Sequence, residues 1–298
     1  MEETDIHRGK GAQVVITKQW DLYRWFGKEK APGEAGVLTG YFLKDWEKDG
    51  YLQRKPAVLI LPGGGYGHVS AREAAPVALR FLARGYAAFV LDYSIAPHGF
   101  PVSLREAAMA MAFLRSQADA LGLHGQMVAA IGFSAGGHLC GMLGTLYDSD
   151  FVQDLGKSEE LRPNALGLCY PVAVSWGRTH EGSFENLCRA DETLRQKLSL
   201  EKLVRRDMPP VFLWHTRSDA SVPCRNSLLL ATALEEAGVD FALHIYRLGP
   251  HGLSTADALV YPAGQIPAVS PDVPHWPEVM MDFFGELGFS VTDREEIG

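Results

Sequence analysis

The sequence predicts an α/β protein: a mostly parallel central sheet with helices on both faces. Two observations lead there. From Pro56 onward, short apolar runs alternate with amphipathic stretches of helical period, the pattern of repeated βα units. The apolar runs are continuous rather than alternating, as strands covered on both faces require. With 298 residues, 47% of them hydrophobic and 21% charged, the chain can bury the core such a sheet needs, and α/β architectures of this length commonly form one unit. A single domain over 1–298 is expected.

The elements follow in order. Residues 1–12 are polar and charged and read as a loose leader. Val14–Trp20 and Val37–Leu43 are β-rich and suggest an antiparallel start to the sheet. Ala57–Leu61 then reads as a strand, Glu73–Arg84 as a helix and Ala87–Leu91 as a strand, followed by a helix over Leu104–Leu121 and a strand over Met127–Ile131. Ala135–Leu146 continues as a helix and Ala165–Tyr170 as a strand. The series closes with strand Val211–His215, helix Arg225–Ala237, strand Phe241–Tyr246 and a helix over Trp276–Leu287. Two segments interrupt the rhythm. Residues 171–210 are charge-rich with weak periodicity and read as a small cap. Residues 254–275 carry Pro262, Pro267, Pro271 and Pro274, which rules out a regular helix and predicts a surface loop.

Composition narrows the function. A formal charge of −8 and the lack of any Lys/Arg cluster leave nothing to neutralise phosphates, so nucleic acid and anionic membranes are poor partners. The N-terminal residues lack the continuous apolar stretch of a signal peptide, and no window approaches a membrane span. Cys140, Cys169, Cys188 and Cys224 lie far apart, with no CxxC pair and no Cys/His run at zinc-ligand spacing. Free thiols, no metal site and a reducing cytoplasmic location are expected.

Three motifs carry chemistry. Gly132-Phe133-Ser134-Ala135-Gly136 fits G-x-S-x-G, in which a strand turns sharply into a helix and exposes a serine hydroxyl. The string alone is weak evidence, but an apolar strand pattern precedes it and a helical one follows. Pro62-Gly63-Gly64-Gly65-Tyr66 follows another buried strand, where successive glycines let main-chain N–H groups face a ligand. The expected donors to an oxyanion are Gly64, Gly65 and Ala135. A serine nucleophile needs a base, and the base a carboxylate; in this architecture they follow in the order Ser, Asp, His. Asp219, just past strand Val211–His215, and His251, in Leu248-Gly249-Pro250-His251-Gly252 after the next strand, satisfy that order. Asp92 is a rival carboxylate but precedes the serine. Tyr66 and His68 are candidates for substrate contact, His138 and His244 for packing, and His215 for support of Asp219.

Pro-Gly-Gly-Gly-Tyr, Gly-Phe-Ser-Ala-Gly-Gly-His-Leu, Asp219 before Val222-Pro223, and Gly-Pro-His-Gly-Leu together resemble the α/β-hydrolase esterases related to hormone-sensitive lipase. The similarity is closest to the acetyl-esterase or xylan-esterase-like branch and runs from about Pro56 to Leu287. One departure is Pro62, where many relatives carry histidine. The resemblance implies an α/β-hydrolase fold and hydrolysis of short-chain, notably acetyl, esters of a small molecule or carbohydrate through an acyl-enzyme, without a cofactor. The same triad also serves formamidases, amidases and peptidases, and the scaffold also serves non-catalytic small-molecule receptors, so those readings stand beside it. The alcohol half of the substrate and the oligomeric state are left open.

Overall fold

Among the described residues, eight strands pair side by side in the order β1-β2-β4-β3-β5-β6-β7-β8, antiparallel across β1-β2-β4 and parallel from β4 onward. A computed structural model describes residues 15–43, 53–262 and 264–293. The expected leader, 1–12, lies outside the described residues. The strands are β1 (Val15–Asp21), β2 (Val37–Leu43), β3 (Gln53–Leu61), β4 (Ala87–Asp92), β5 (Leu123–Phe133), β6 (Ala165–Cys169), β7 (Val211–Thr216) and β8 (Phe241–Tyr246). A two-residue β9 (Thr292–Asp293) pairs with Gln53 and Arg54 at the start of β3. The helices are α1 (Leu22–Trp25), α2 (Ala75–Leu82), α3 (Val102–Ser116), α4 (Ala118–Leu121), α5 (Ala135–Leu146), α6 (Ser158–Leu161), α7 (Glu181–Cys188), α8 (Glu192–Lys197), α9 (Leu200–Leu203), α10 (Arg225–Ala237) and α11 (Trp276–Glu286).

The continuous apolar runs of the parallel strands divide by the two-residue period of a strand. Ala57, Leu59 and Leu61 of β3, with Val211 and Leu213 of β7, face the core shared with α3, α5 and α10. Val58 and Ile60, with Phe212 and Trp214, face the other core, under α2 and α11. Helices therefore cover both faces, as the sequence predicts, and the antiparallel β1-β2 start is present.

Two helices differ from expectation. Residues 73–84 do not form one helix: a 3-10 turn spans Ala71–Glu73, and α2 begins at Ala75. Pro76 is the reason, since its fixed φ and missing N–H suit a first helical turn. Glu73 is thereby left outside the helix. The stretch 104–121 is likewise split, with Gln117 separating α3 from α4.

The winding places the site. From β3 the chain passes through α2 to β4 on one side, then returns past β3 to β5 on the other. In open α/β sheets a crevice forms at the carboxyl ends of the strands where the winding reverses. Here that point lies between β3 and β5, whose ends carry the glycine loop and Ser134. No described helix is long and apolar enough to cross a membrane.

Candidate active site

Ser134 sits at the end of β5 with φ +54° and ψ −117°, a conformation that L-residues rarely adopt. Close packing makes the flanking glycines necessary. A Cβ on Gly132 would overlap the Gly136 carbonyl oxygen, and one on Gly136 would overlap the Leu61 and Pro62 carbonyls of the neighbouring strand. The hydroxyl is held over the crevice while Ser134 remains 7% exposed.

His251 Nε2 lies 2.8 Å from Ser134 Oγ, and His251 Nδ1 lies 2.6 Å from Asp219 Oδ2. A carboxylate can only accept, so Nδ1 carries the ring hydrogen and Nε2 is free to accept from the serine hydroxyl. Asp219 Oδ1 accepts the amides of Ser221 and Val222, each at 2.9 Å. The loops after β7 and β8 are bonded together: Thr216 Oγ1 donates to Gly249 O at 2.8 Å, and Ser218 Oγ accepts the Gly249 amide at 2.9 Å. Tyr170, directly after β6, packs its ring against the His251 ring in a T-shaped contact, centroids 5.2 Å apart.

His215 supports the carboxylate. Its Nε2 faces two acceptors, Val222 O at 2.8 Å and Asp219 Oδ2 at 3.3 Å, and so must carry a hydrogen; Nδ1 lies 2.7 Å from Ser227 Oγ. Burial works to raise the Asp219 pKa, but hydrogen bonds from His215, His251 and the Val222 amide outweigh it and hold the carboxyl well below the usual range. Asp92 is remote by topology, because β3 stands between its strand and β5.

The glycine loop folds beside Ser134. Gly64, Gly65 and Tyr66 all have positive φ, and a Cβ on Gly63 would lie 3.1 Å from the Ser134 Cβ. Among the described residues, the amides of Gly64, Gly65 and Ala135 donate to no protein acceptor. Ala135 is the first residue of α5, where an N–H is left free and the helix dipole favours negative charge. The loop does not depend on a side chain at Pro62: Tyr93 Oη donates to Pro62 O at 2.6 Å, and the Gly63 amide donates to Glu73 Oε2 at 2.8 Å.

Tyr66 corrects an expectation. It is 2% exposed and its hydroxyl, 2.9 Å from His138 Nδ1, is committed to the core rather than to substrate. The positive φ at Tyr66 turns the side chain inward. His138 Nε2 donates to Leu198 O at 2.7 Å, and burial pushes its pKa down to about 4, so the ring is neutral. His68 is exposed at the outer end of the glycine loop, and His244 stacks on Phe212 at 4.8 Å.

Residues 171–210 supply two features that the sequence does not reveal, and a third side chain outside them holds the segment in place. Asn186 Nδ2, on α7, donates to Gly65 O at 2.9 Å. His180 Nδ1 lies 2.9 Å from Ser183 Oγ, and a Cβ on Gly65 would come within 3.4 Å of His180 Cε1. Burial, then the nearby His251, lower the His180 pKa. Asn226 Oδ1 of α10 holds the start of the segment through the amides of Ala173 and Val174, at 3.0 and 3.1 Å. All four cysteines are free, and three are buried.

The BD-FAE family model matches residues 48–165. The chain is 36% identical to the acetyl ester-xyloside bifunctional hydrolase of Caldicellulosiruptor lactoaceticus, whose crystal structure superposes with a TM-score of 0.73 over 85% of this chain and 88% of that one. It is 35% identical to endo-1,4-beta-xylanase B of Butyrivibrio fibrisolvens over 68% of this chain and 33% of the relative. It is 30% identical to an acetylxylan esterase of Xylanibacter ruminicola over 66% of this chain and 40% of the relative. The chain spans less than half the length of the curated relatives it matches.

Proposed function

The chain belongs to the α/β-hydrolase esterases that carry the BD-FAE domain, and from that premise we propose that it hydrolyses acetyl and other short-chain carboxylic esters with Ser134 as nucleophile, His251 as base and Asp219 as orienting carboxylate. The observation that carries this reading is the unbroken hydrogen-bonded line Ser134–His251–Asp219, at 2.8 and 2.6 Å, ending beside unpaired main-chain amides.

The steps follow from that geometry. Ser134 Oγ attacks the ester carbonyl carbon as its proton passes to His251 Nε2, and the carbonyl π pair moves onto oxygen. The resulting oxyanion is held by the amides of Ala135, Gly64 and Gly65, each such donor lowering the barrier by about 3–4 kcal/mol. Asp219 balances the imidazolium without taking its proton. As the intermediate collapses, the C–O bond to the alcohol breaks and the alkoxide takes the proton from Nε2. Water then attacks the acyl-serine, gives its proton to Nε2, and the second collapse returns that proton to Ser134 Oγ and frees the carboxylic acid. No cofactor enters these steps. His68, at the outer end of the loop, is a candidate contact for the alcohol half.

The relatives named for acetyl ester-xyloside hydrolysis and acetylxylan esterase activity support an acetylated carbohydrate or small molecule as the substrate. The test is turnover of p-nitrophenyl esters of increasing acyl length by the wild type and Ser134→Ala. The reading predicts highest kcat/KM for the acetyl ester and loss of activity of about 10⁴-fold or more in the variant. Undiminished turnover by Ser134→Ala would refute it. An acetanilide in place of the ester separates an amidase, which would cleave both.

A further inference from the structure

A buried acid outside the triad links the two halves of this site. Glu73 is 3% exposed and lies in the 3-10 turn before α2. Its Oε2 accepts the Gly63 amide at 2.8 Å, fixing the base of the glycine loop. Its Oε1 accepts Tyr170 Oη at 2.7 Å. That same Tyr170 oxygen accepts the Ser254 amide at 2.9 Å, three residues beyond His251, while the Tyr170 ring makes a T-shaped contact with the imidazole. Ser254 Oγ also donates to the carbonyl of Arg72, the residue next to Glu73. Two side chains in series, Glu73 and Tyr170, thus tie the loop carrying the expected oxyanion donors to the loop carrying the base.

We infer that Glu73 and Tyr170 are positioning residues for ester hydrolysis: the Glu73 carboxylate, through the Tyr170 hydroxyl, fixes the oxyanion loop and the His251 loop relative to each other. The inference rests on the proposed function and deepens it. Both Glu73 oxygens serve only as acceptors, one for an N–H and one for an O–H; a glutamine that keeps the Gly63 bond turns its NH2 toward Tyr170 Oη, which already accepts the Ser254 amide, and leaves the tyrosine hydrogen without its acceptor. Aspartate is a methylene shorter and cannot span Gly63 and Tyr170 at the observed distances. Small displacements are enough to matter, because transition-state stabilisation depends on amides aimed at one oxygen while the imidazole faces the serine. Both side chains spend their polar atoms on these tethers, Glu73 on Gly63 and Tyr170, and Tyr170 on Glu73 and Ser254. The effect therefore falls on kcat rather than on KM.

The test uses the full-length chain. Glu73→Gln, Tyr170→Phe and the double variant are compared with the wild type in kcat and KM for p-nitrophenyl acetate, with Ser134→Ala as the control and thermal melting recorded alongside. The inference predicts that each single variant loses about 10- to 100-fold in kcat with KM changed less than about threefold. It also predicts that the double variant is no slower than the slower single, since both substitutions cut one tether. Tyr170→Phe keeps the ring against His251 and removes only the hydroxyl, so it decides the matter if Glu73→Gln does not fold. Wild-type kcat in folded Tyr170→Phe, or losses that multiply in the double variant, would overturn the inference. If wild-type activity survives Ser134→Ala, the hydrolase reading fails and this inference with it; if it does not, the outcome for the two variants judges the tether alone.

Discussion

His215 shows how much of the candidate site is built from side chains buried behind the proposed catalytic residues. Fully buried, its Nε2 donates to Val222 O with Asp219 Oδ2 3.3 Å from the same nitrogen, and its Nδ1 meets Ser227 Oγ. His215→Ala removes one hydrogen bond to a charged group, about 1.5 kcal/mol of orientation and about a tenfold loss in kcat with KM nearly unchanged; steady-state kinetics checks it. Asp219→Asn is expected to be far worse, about 10⁴-fold, because an amide can present an N–H where His251 Nδ1–H needs an acceptor. At this scale the candidate triad residues were legible in the sequence and the side chains around them were not. Ser134, Asp219 and His251 each lie in a short turn directly after an apolar strand, a local signal. Glu73 reads as an ordinary acidic residue near a helix start, and only its bond to Tyr170, 97 positions away, makes it more than that. Tyr66 misled for the same reason: proximity to the glycine loop in sequence says nothing about a backbone φ of +55° that turns the ring into the core.

Among the elements, the junction of β5 and α5 leaves the least room. The Gly136 main chain sits against the carbonyls of Leu61 and Pro62 on the neighbouring strand, so Gly136→Ala forces either the helix or the glycine loop to move. A destabilisation of about 3 kcal/mol is expected, at the upper end of the overpacking range, together with loss of activity; urea unfolding and turnover measure the two. The alternation of β and α elements was legible because both periods are local properties of the chain. The 171–210 segment was not, since its helices are short and charged, and what they do depends on Asn186 reaching Gly65. Asn186→Ala should leave the melting temperature within a few degrees and lower kcat by about three- to tenfold, as the unanchored Gly65 carbonyl lets its peptide plane rotate.

For the whole molecule, stability as a function of pH carries two opposing buried groups. Glu106, on α3, accepts from Tyr23 Oη and from both the amide and the hydroxyl of Ser94, yet burial outweighs these bonds and raises its pKa to about 7. The unfolded chain gives up that proton at lower pH, so the folded state loses stability as pH rises from the ordinary carboxyl range to about 7. His138 acts in reverse: with its pKa lowered to about 4, it adds stability as pH rises toward the ordinary imidazole value. The two partly cancel, which makes the difference between wild type and Glu106→Gln the informative quantity. That difference should shift in favour of the variant by up to about 3 kcal/mol between pH 4.5 and 7; parallel stability curves would contradict the assignment.

The account as a whole rests on Ser134 being the group that forms the covalent bond. Treating the protein with diethyl p-nitrophenyl phosphate and locating the label by peptide mass spectrometry tests this directly. The account predicts one equivalent of p-nitrophenol released, a diethylphosphoryl group on Ser134, and ester turnover lost in step with labelling. A label on any other residue, or full turnover after Ser134 is blocked, would contradict it.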